Sequence, residues 1–495
     1  MSSLIKGDKS DTIVHTVVQD VSRPPSLHAD DAKLAELGYK SEFKREFSLI
    51  ETVAFAFSIM GVVASVSSTL SFGLVSGGHV GLVFGWLIPS IFVMTIALAM
   101  AELTSSMPTS AGLYYWSAKL APPKYSALAS WITGWANITG QITLVCSIDY
   151  TCAQMITTAI AVNSDGATNL SSGATFVGTT VTAIIALLVA SGDNKVSTKD
   201  AFTLFENNTG WSNNGWAFLL AFTAPMWTLT GYDSAAHISE EVSGADIAAP
   251  VAIITAVAGT AGLGWILLIA TSFAIPSVAD LLATELPLPM GQVFLDVLGK
   301  RGMLAIWSFI IVVQYVTGAA QGVDASRVVF AFARDNALPG SRWWKKINSR
   351  TQTPVNAAWL VMVFAGICGL LGFSETALTS LAGASVIGLY TSYIVPIFLR
   401  ITSGRNNVVP GPFTLGRWAI PIGTVAVSWV TFIVVLLLFP TGQHTTAQDM
   451  NYAIVLIAAV FIFATVSWVT SAHKWFHGPV NNVRDDTNMD EKSST

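Results

Sequence analysis

The stretch "AFTAPMWTLTGYDSAAHISEE", residues 221–241, poses the question on which the fold turns. Within about six helical turns an otherwise apolar region carries Pro225, Gly231, Asp233, His237, Glu240 and Glu241. Pro and Gly interrupt regular helix, and buried acids need water, protein or a ligand. At membrane depth, irregular backbone is tolerated only where it is buried in protein or lines a cavity, because lipid cannot satisfy free N–H and C=O groups. In a membrane protein this stretch therefore reads as a broken helix beside a polar site.

Composition places the chain in that class. Hydrophobic residues make up 52% and charged residues 11%, mean hydropathy is +0.58, and the apolar residues come in runs rather than stripes. Crossing a bilayer takes about 20 apolar residues of helix, and runs of that length recur along the sequence, whereas the alternating strands of a membrane barrel are absent. The expectation is an all-α, polytopic membrane protein. Residues 1–48 read as a polar, disordered cytosolic tail with no signal peptide, 49–474 as the transmembrane domain and 475–495 as a second cytosolic tail. Cys146, Cys152 and Cys368 lack metal-ligand spacing and are expected to pack as small hydrophobes. No P-loop, HExxH or dinucleotide fingerprint appears, so neither an enzyme nor a cofactor is expected. Nucleic acid is not expected as a partner, and lipid is.

Eleven apolar segments can be read, at about 49–75, 79–102, 125–161, 174–191, 214–240, 250–275, 303–332, 355–373, 376–400, 418–439 and 451–471. Basic residues collect on the cytosolic side of membrane proteins. By that rule "KLAPPK", "FARDNALPGSRWWKKINSR" and the loop bearing Arg405 and Arg417 face the cytosol. One crossing per segment nevertheless puts the loop at 334–350 outside. The defect falls at 174–191, a short segment flanked by polar stretches that both prefer the exterior, so one crossing is missing between 162 and 214.

A second interrupted helix is expected at 54–70, where Gly61 precedes small and β-branched residues. The two apolar groups, 49–191 and 214–400, each begin with a broken segment, as inverted repeats do when they build a substrate site at the bilayer midplane. Free amides at Gly61, Val62, Ala64 and Ser65 would take a carboxylate. Carbonyls from Trp227 and Thr228 to Gly231, with Tyr232 and an acid nearby, would take an amine.

The motifs "FKREFSLIETVAFAFSIMG", "AMAELTSSMPTSAGLYYW", "CSIDY", "GYDSAAHISEEV" and "ASRVVFAFARDNALP", in that order, resemble the fungal amino acid, choline and γ-aminobutyrate (GABA) permeases of the amino acid–polyamine–organocation superfamily. The resemblance covers about residues 35–475. It implies a leucine-transporter-like core of five plus five helices in inverted repeat, with two more. It also implies that most of one span is absent between "NSDGATNLSSGATF" and "VGTTVTAIIALLVASGDNKVSTKDAF", where the charge count had located its defect. Asp233 then matches the acidic end of the superfamily's Gly-aromatic-acid pattern.

Among the polar residues, Asp149 lies well inside a span, where an acid costs about 2.5–3.5 kcal/mol. It is expected to face protein or a wet cavity, binding substrate or carrying a proton. His237 and Glu241, at i and i+4, could pair as a pH-sensitive gate or simply end a helix in water. Glu102 could brace the inner gate, and Asp324 and Arg327 are spaced to pair. The function expected is secondary active transport of an amino acid or GABA-like zwitterion, coupled to protons, in the plasma or vacuolar membrane; choline or polyamine is the alternative substrate. The competing reading is a non-transporting splice form or mis-assembled gene lacking one span.

Overall fold

The computed structural model describes residues 25–163, 183, 186–187, 195–370, 377–443 and 450–483. The helices that build the bundle and the site are, in chain order, α1 (Pro25–Glu36), α2 (Leu49–Met60), α3 (Val62–Ser106), α4 (Gly112–Leu120), α5 (Ser126–Asn163), α6 (Thr223–Thr228), α7 (Ser234–His237), α8 (Ala245–Phe273), α9 (Pro289–Arg334), α10 (Val355–Cys368), α11 (Ala377–Ile401), α12 (Ala419–Leu436) and α13 (Ala453–Thr470), with further short helices between them. The described residues are all-helical apart from one isolated bridge between Phe47 and Val242. Seven helical stretches among them are long and apolar enough to cross a membrane. The chain is an integral multi-pass membrane protein.

The expected eleven segments do not reappear as eleven long helices, for local reasons. Leu49–Ser106 runs as one apolar stretch of 58 residues, yet it is broken at Gly61 and turned at Gly78, whose φ of 54° and ψ of −134° are not helical. The segment at 214–240 is cut into short pieces, α10 has only 14 residues, and 174–191 lies outside the described residues except at 183, 186 and 187. The segment at 125–161 is, as read, one unsplit helix, α5.

Helix starts follow from the sequence. Ser48 caps α2, and Glu51 returns the bond to the Ser48 amide at 2.7 Å. Packing divides the helices: α8 lies along α2 and α3, while α5 lies against α9 and α11. Small residues allow the closest crossing. A Cβ on Gly140 of α5 would sit 2.5 Å from the Leu389 nitrogen, and one on Gly388 of α11 would sit 2.7 Å from the Gly140 nitrogen. With lipid as solvent there is no hydrophobic drive between helices, so this backbone-to-backbone approach supplies the contact.

The described residues before Asn163 and from 195 onward meet at one end of the bundle. Ala161 and Val162 line a cleft with Ala274, Ile275 and Ser277, and the Val196 N–H donates to the Phe273 carbonyl at 3.1 Å. This is the end opposite the basic loops.

Candidate functional site: two adjoining helix breaks

Both expected breaks are present, and they touch. Gly61 separates α2 from α3 at φ 40° and ψ 62°, a left-handed conformation that favours glycine. Its carbonyl accepts from the Ser65 N–H at 2.8 Å and its own N–H donates to the Phe57 carbonyl at 3.3 Å. Ser65 Oγ donates to the Met60 carbonyl at 2.8 Å, and Thr317 Oγ1 of α9 donates to the Ser58 carbonyl at 2.9 Å. The amides of Val62, Val63 and Ala64 open the first turn of α3, where intrahelical bonding supplies no acceptor. Of the amides expected to meet a carboxylate, those of Val62 and Ala64 are among these first-turn donors. Those of Gly61 and Ser65 are already engaged.

The second break lies between α6 and α7. Leu229 leaves the helical region at φ −89°, ψ 41°, and Gly231 takes φ 82°. A Cβ on Gly231 would collide with Ile59 Cγ2 of α2 and lie 3.1 Å from Gln321 Oε1 of α9, so the two breaks adjoin through Ile59 and share α9 as a wall. The Leu229 carbonyl accepts from Tyr390 Oη at 2.9 Å. Trp227 Nε1 donates to Ser147 Oγ at 3.0 Å, while Thr228 Oγ1 is buried with no partner. Tyr232 is buried, with its ring 5.2 Å from that of Tyr393.

Asp233 sits at the centre, fully buried and fully bonded. Its Oδ1 accepts from Tyr393 Oη at 2.6 Å. Its Oδ2 meets Asn137 Nδ2 at 3.3 Å, Gln141 Nε2 at 3.4 Å and His237 Nε2 at 3.2 Å. His237 Nδ1 faces the Ser110 carbonyl at 3.1 Å, an atom that can only accept. Nδ1 therefore carries hydrogen, and the Asp233–His237 pair shares one more proton.

Several expected pairings are corrected. His237 does not reach Glu241, and Asp324 does not pair with Arg327. Arg327 instead holds Glu241 through Nε at 2.8 Å and Nη2 at 3.2 Å, and Asp324 Oδ2 accepts from Gln141 Nε2 at 2.8 Å. Sequence spacing suggested Asp324 with Arg327 and His237 with Glu241; the fold instead gives Asp324, Arg327 and Glu241 partners on other elements, and His237 pairs with Asp233 one turn back. Asp149 is not brought to the breaks: it is exposed and hydrogen-bonds to no described residue, and a Cβ on Gly318 of α9 would lie 2.9 Å from its Oδ1. Glu102, expected as a brace of the inner gate, bonds to none of the gate residues named below. It is buried at the end of α3, where Oε1 accepts from Thr414 Oγ1 and the Leu415 N–H, both at 3.2 Å, and Oε2 lies 3.4 Å from Arg400 Nε.

On the side of the basic loops, the region below the breaks is sealed. Arg334 grips Glu240 with two bonds of 2.9 Å, and Glu240 also accepts from Thr109 Oγ1 at 3.1 Å and the Ser110 N–H at 3.0 Å. Arg45 donates to the Val242 carbonyl at 2.8 Å. Asp335 accepts from Tyr39 and Tyr114 hydroxyls at 2.9 and 2.8 Å and from the Val480 N–H at 3.0 Å. Burial pushes the Asp335 carboxyl up from the usual carboxylate range, while the Arg334 charge and these donors pull it down. The sequence reading missed Asn137, Gln141, Gln321, Tyr390 and Tyr393. The amides stood as rare polar residues in apolar runs, and that is the signal that could have found them.

Compared with known proteins, residues 47–191 and 162–460 match the amino acid permease family, in two pieces that overlap where the sequence departs from the pattern. An uncharacterized amino-acid permease of Schizosaccharomyces pombe is 38% identical over 490 residues, covering 92% of this chain and 90% of that one. The amino-acid permease BAT1 of Arabidopsis thaliana is 34% identical over 512 residues, covering 94% and 99%. A GABA-specific permease of Saccharomyces cerevisiae is 35% identical over 497 residues, covering 92% and 87%.

Proposed function

The chain belongs to the amino acid permease family, and from that premise we propose that it is a secondary transporter of amino acids or GABA-like zwitterions working by alternating access. The observation that carries this is the pair of buried, adjoining breaks: amides of Val62 to Ala64 on one side, and the Leu229–Gly231 backbone with a polar cluster on the other. Such half-helix ends are how a membrane protein offers charge to both poles of a zwitterion without free backbone in lipid. Choline has no carboxylate and would leave the first break unused. Two similar broken segments also support the inverted-repeat reading of the core.

In this reading the basic loops face the cytosol, the Glu240–Arg334 and Glu241–Arg327 pairs close the inner gate, and the structure is an inward-closed state. Proton coupling is assigned to the Asp233–His237 pair, which holds a shared proton beside the second break; Asp149 is poorly placed for it. The absent span is supported by the alignment to the Arabidopsis relative, which is longer than this whole chain, and by the re-entry of residue 195 at the end that Asn163 leaves. The test is uptake of labelled amino acids, GABA and choline by cells or proteoliposomes carrying the chain. Saturable amino acid or GABA uptake supports the reading; choline uptake alone, or none, refutes it.

A further inference from the structure

Four buried acids and three cations lie together below the breaks: Asp233, Glu240, Glu241 and Asp324, with His237, Arg327 and Arg334. Each cation is committed to one acid, His237 to Asp233, Arg327 to Glu241 and Arg334 to Glu240. Asp324 is left over, as is the buried Asp335 beside Arg334, which already takes three donors. Asp324 is 0% exposed, its Oδ2 is bonded to Gln141, and its Oδ1 has no donor. A buried carboxylate without a counter-charge is costly, and truncating the partner of such a charge costs proteins several kcal/mol for that reason.

The hydrogen-bond chain beside it has a direction. Gln321 Nε2 donates to Gln141 Oε1, and Gln141 Nε2 donates to Asp324 and Asp233. The side-chain amide donors are turned inward, and two acceptors remain at the ends, Gln321 Oε1 and Asp324 Oδ1, both buried and without partners. They are three residues apart on one face of α9, and Gln321 Oε1 is the atom that flanks Gly231 at the second break. An alkylammonium group has three donors and no acceptor, so it is the complement of this pair.

Resting on the transport reading above, we propose that Asp324 and Gln321 form the ammonium-binding subsite, and that its distance from the amides of α3 selects ω-amino acids over α-amino acids. Thr317 abuts Gly61, because a Cβ there would lie 2.5 Å from its hydroxyl. From Thr317 to Gln321 and Asp324 the helix advances by about 6 and 10 Å. The amides of Val62 to Ala64 lie beyond Gly61, further from Asp324. An α-amino acid with a hydrogen bond at each end reaches about 8–9 Å, and a four-carbon ω-amino acid adds about 3 Å. The longer zwitterion therefore spans the two subsites. Asp233, with four donors already, does not serve as the ammonium acceptor.

The experiment is equilibrium binding of tritiated GABA to the full chain in lipid nanodiscs, with alanine and butyrate as competitors. GABA is expected to bind, with alanine and butyrate at least about tenfold weaker, and Asp324→Asn is expected to lose about 10- to 100-fold in affinity, part of it restored by Asp324→Glu. If Asp324→Asn does not fold, Gln321→Leu reads the same subsite, with about a tenfold loss expected. Unchanged GABA affinity in the variant that folds overturns the proposal. So does equal binding of butyrate, or no ω-amino acid binding by the parent chain. Affinity that is unchanged while the pH profile of binding moves would assign Asp324 to a proton and likewise overturn it. Binding that behaves as expected without uptake counts against the transport reading alone.

Discussion

Truncating Arg334 to alanine should open the gate on the side of the basic loops. Arg334 and Glu240 are 3% and 0% exposed at the side chain and share two bonds of 2.9 Å. Arg334 also lies 4.0 Å above the Tyr39 ring. Removing it leaves Glu240 charged and buried with only Thr109 Oγ1 and the Ser110 N–H, a loss of about 3–5 kcal/mol for a pair of this kind. An open state hydrates Glu240 and escapes that loss, so the closed-to-open ratio should fall by about 100-fold to several thousand-fold. The readout is labelling of a Ser110→Cys probe, in a chain with Cys146, Cys152 and Cys368 replaced, by an impermeant thiol reagent applied to inside-out vesicles. Ser110 is buried and its hydroxyl has no partner, so the probe disturbs no side-chain bond. Labelling should be slow in the parent, at least about tenfold faster with Arg334→Ala, and close to parental in Arg334→Ala/Glu240→Ala, where no charge is orphaned. Unaltered labelling in the single variant, or a double variant more open than the single one, would refute the gate.

Gly231→Ala combines a left-handed φ with a clash against Ile59 and should destabilise by about 2–5 kcal/mol and abolish uptake, while Gly262→Ala, with nothing within 4 Å of its Cβ, should be neutral in thermal unfolding and transport. Uptake should rise as external pH falls and need no sodium. His237→Gln should flatten that profile and Asp149→Asn should leave it in place; the reverse outcome would return coupling to Asp149. Tags on both termini should be cytosolic and the sequon at Asn207 glycosylated, because residues 195–213 share the end of the bundle where the Asn208 N–H meets the Val75 carbonyl; an unglycosylated Asn207 with termini on opposite sides would show that 174–191 crosses normally.

Both breaks were legible in the sequence because Gly61 and Gly231 carry backbone constraints that no neighbour can override. The parity defect rests on charge sidedness alone, and the segment it falls on, 174–191, lies outside the described residues except at 183, 186 and 187. Partners were not legible. Spacing at i, i+3 or i, i+4 records only which side chains share a helix face, so it suggested Asp324 with Arg327 and His237 with Glu241. Each of those four bonds instead to a residue outside the suggested pair, and three of the four partners lie on another element. The surroundings of Asp149 were not legible for a related reason: the cost of an acid at membrane depth says that it needs an environment, but does not say which one. The central amides were visible as residues and silent as a network, since Asn137, Gln141 and Gln321 gain their meaning only when α5 and α9 pack side by side.

The most direct test of the account is transport by the chain itself. Purified protein in sealed liposomes, with an inward proton gradient, should accumulate labelled GABA or another amino acid saturably, with uptake lost on collapse of the gradient and lost in Gly231→Ala protein of matched amount. No uptake above protein-free liposomes for GABA and a panel of amino acids would contradict it, as would uptake indifferent to Gly231.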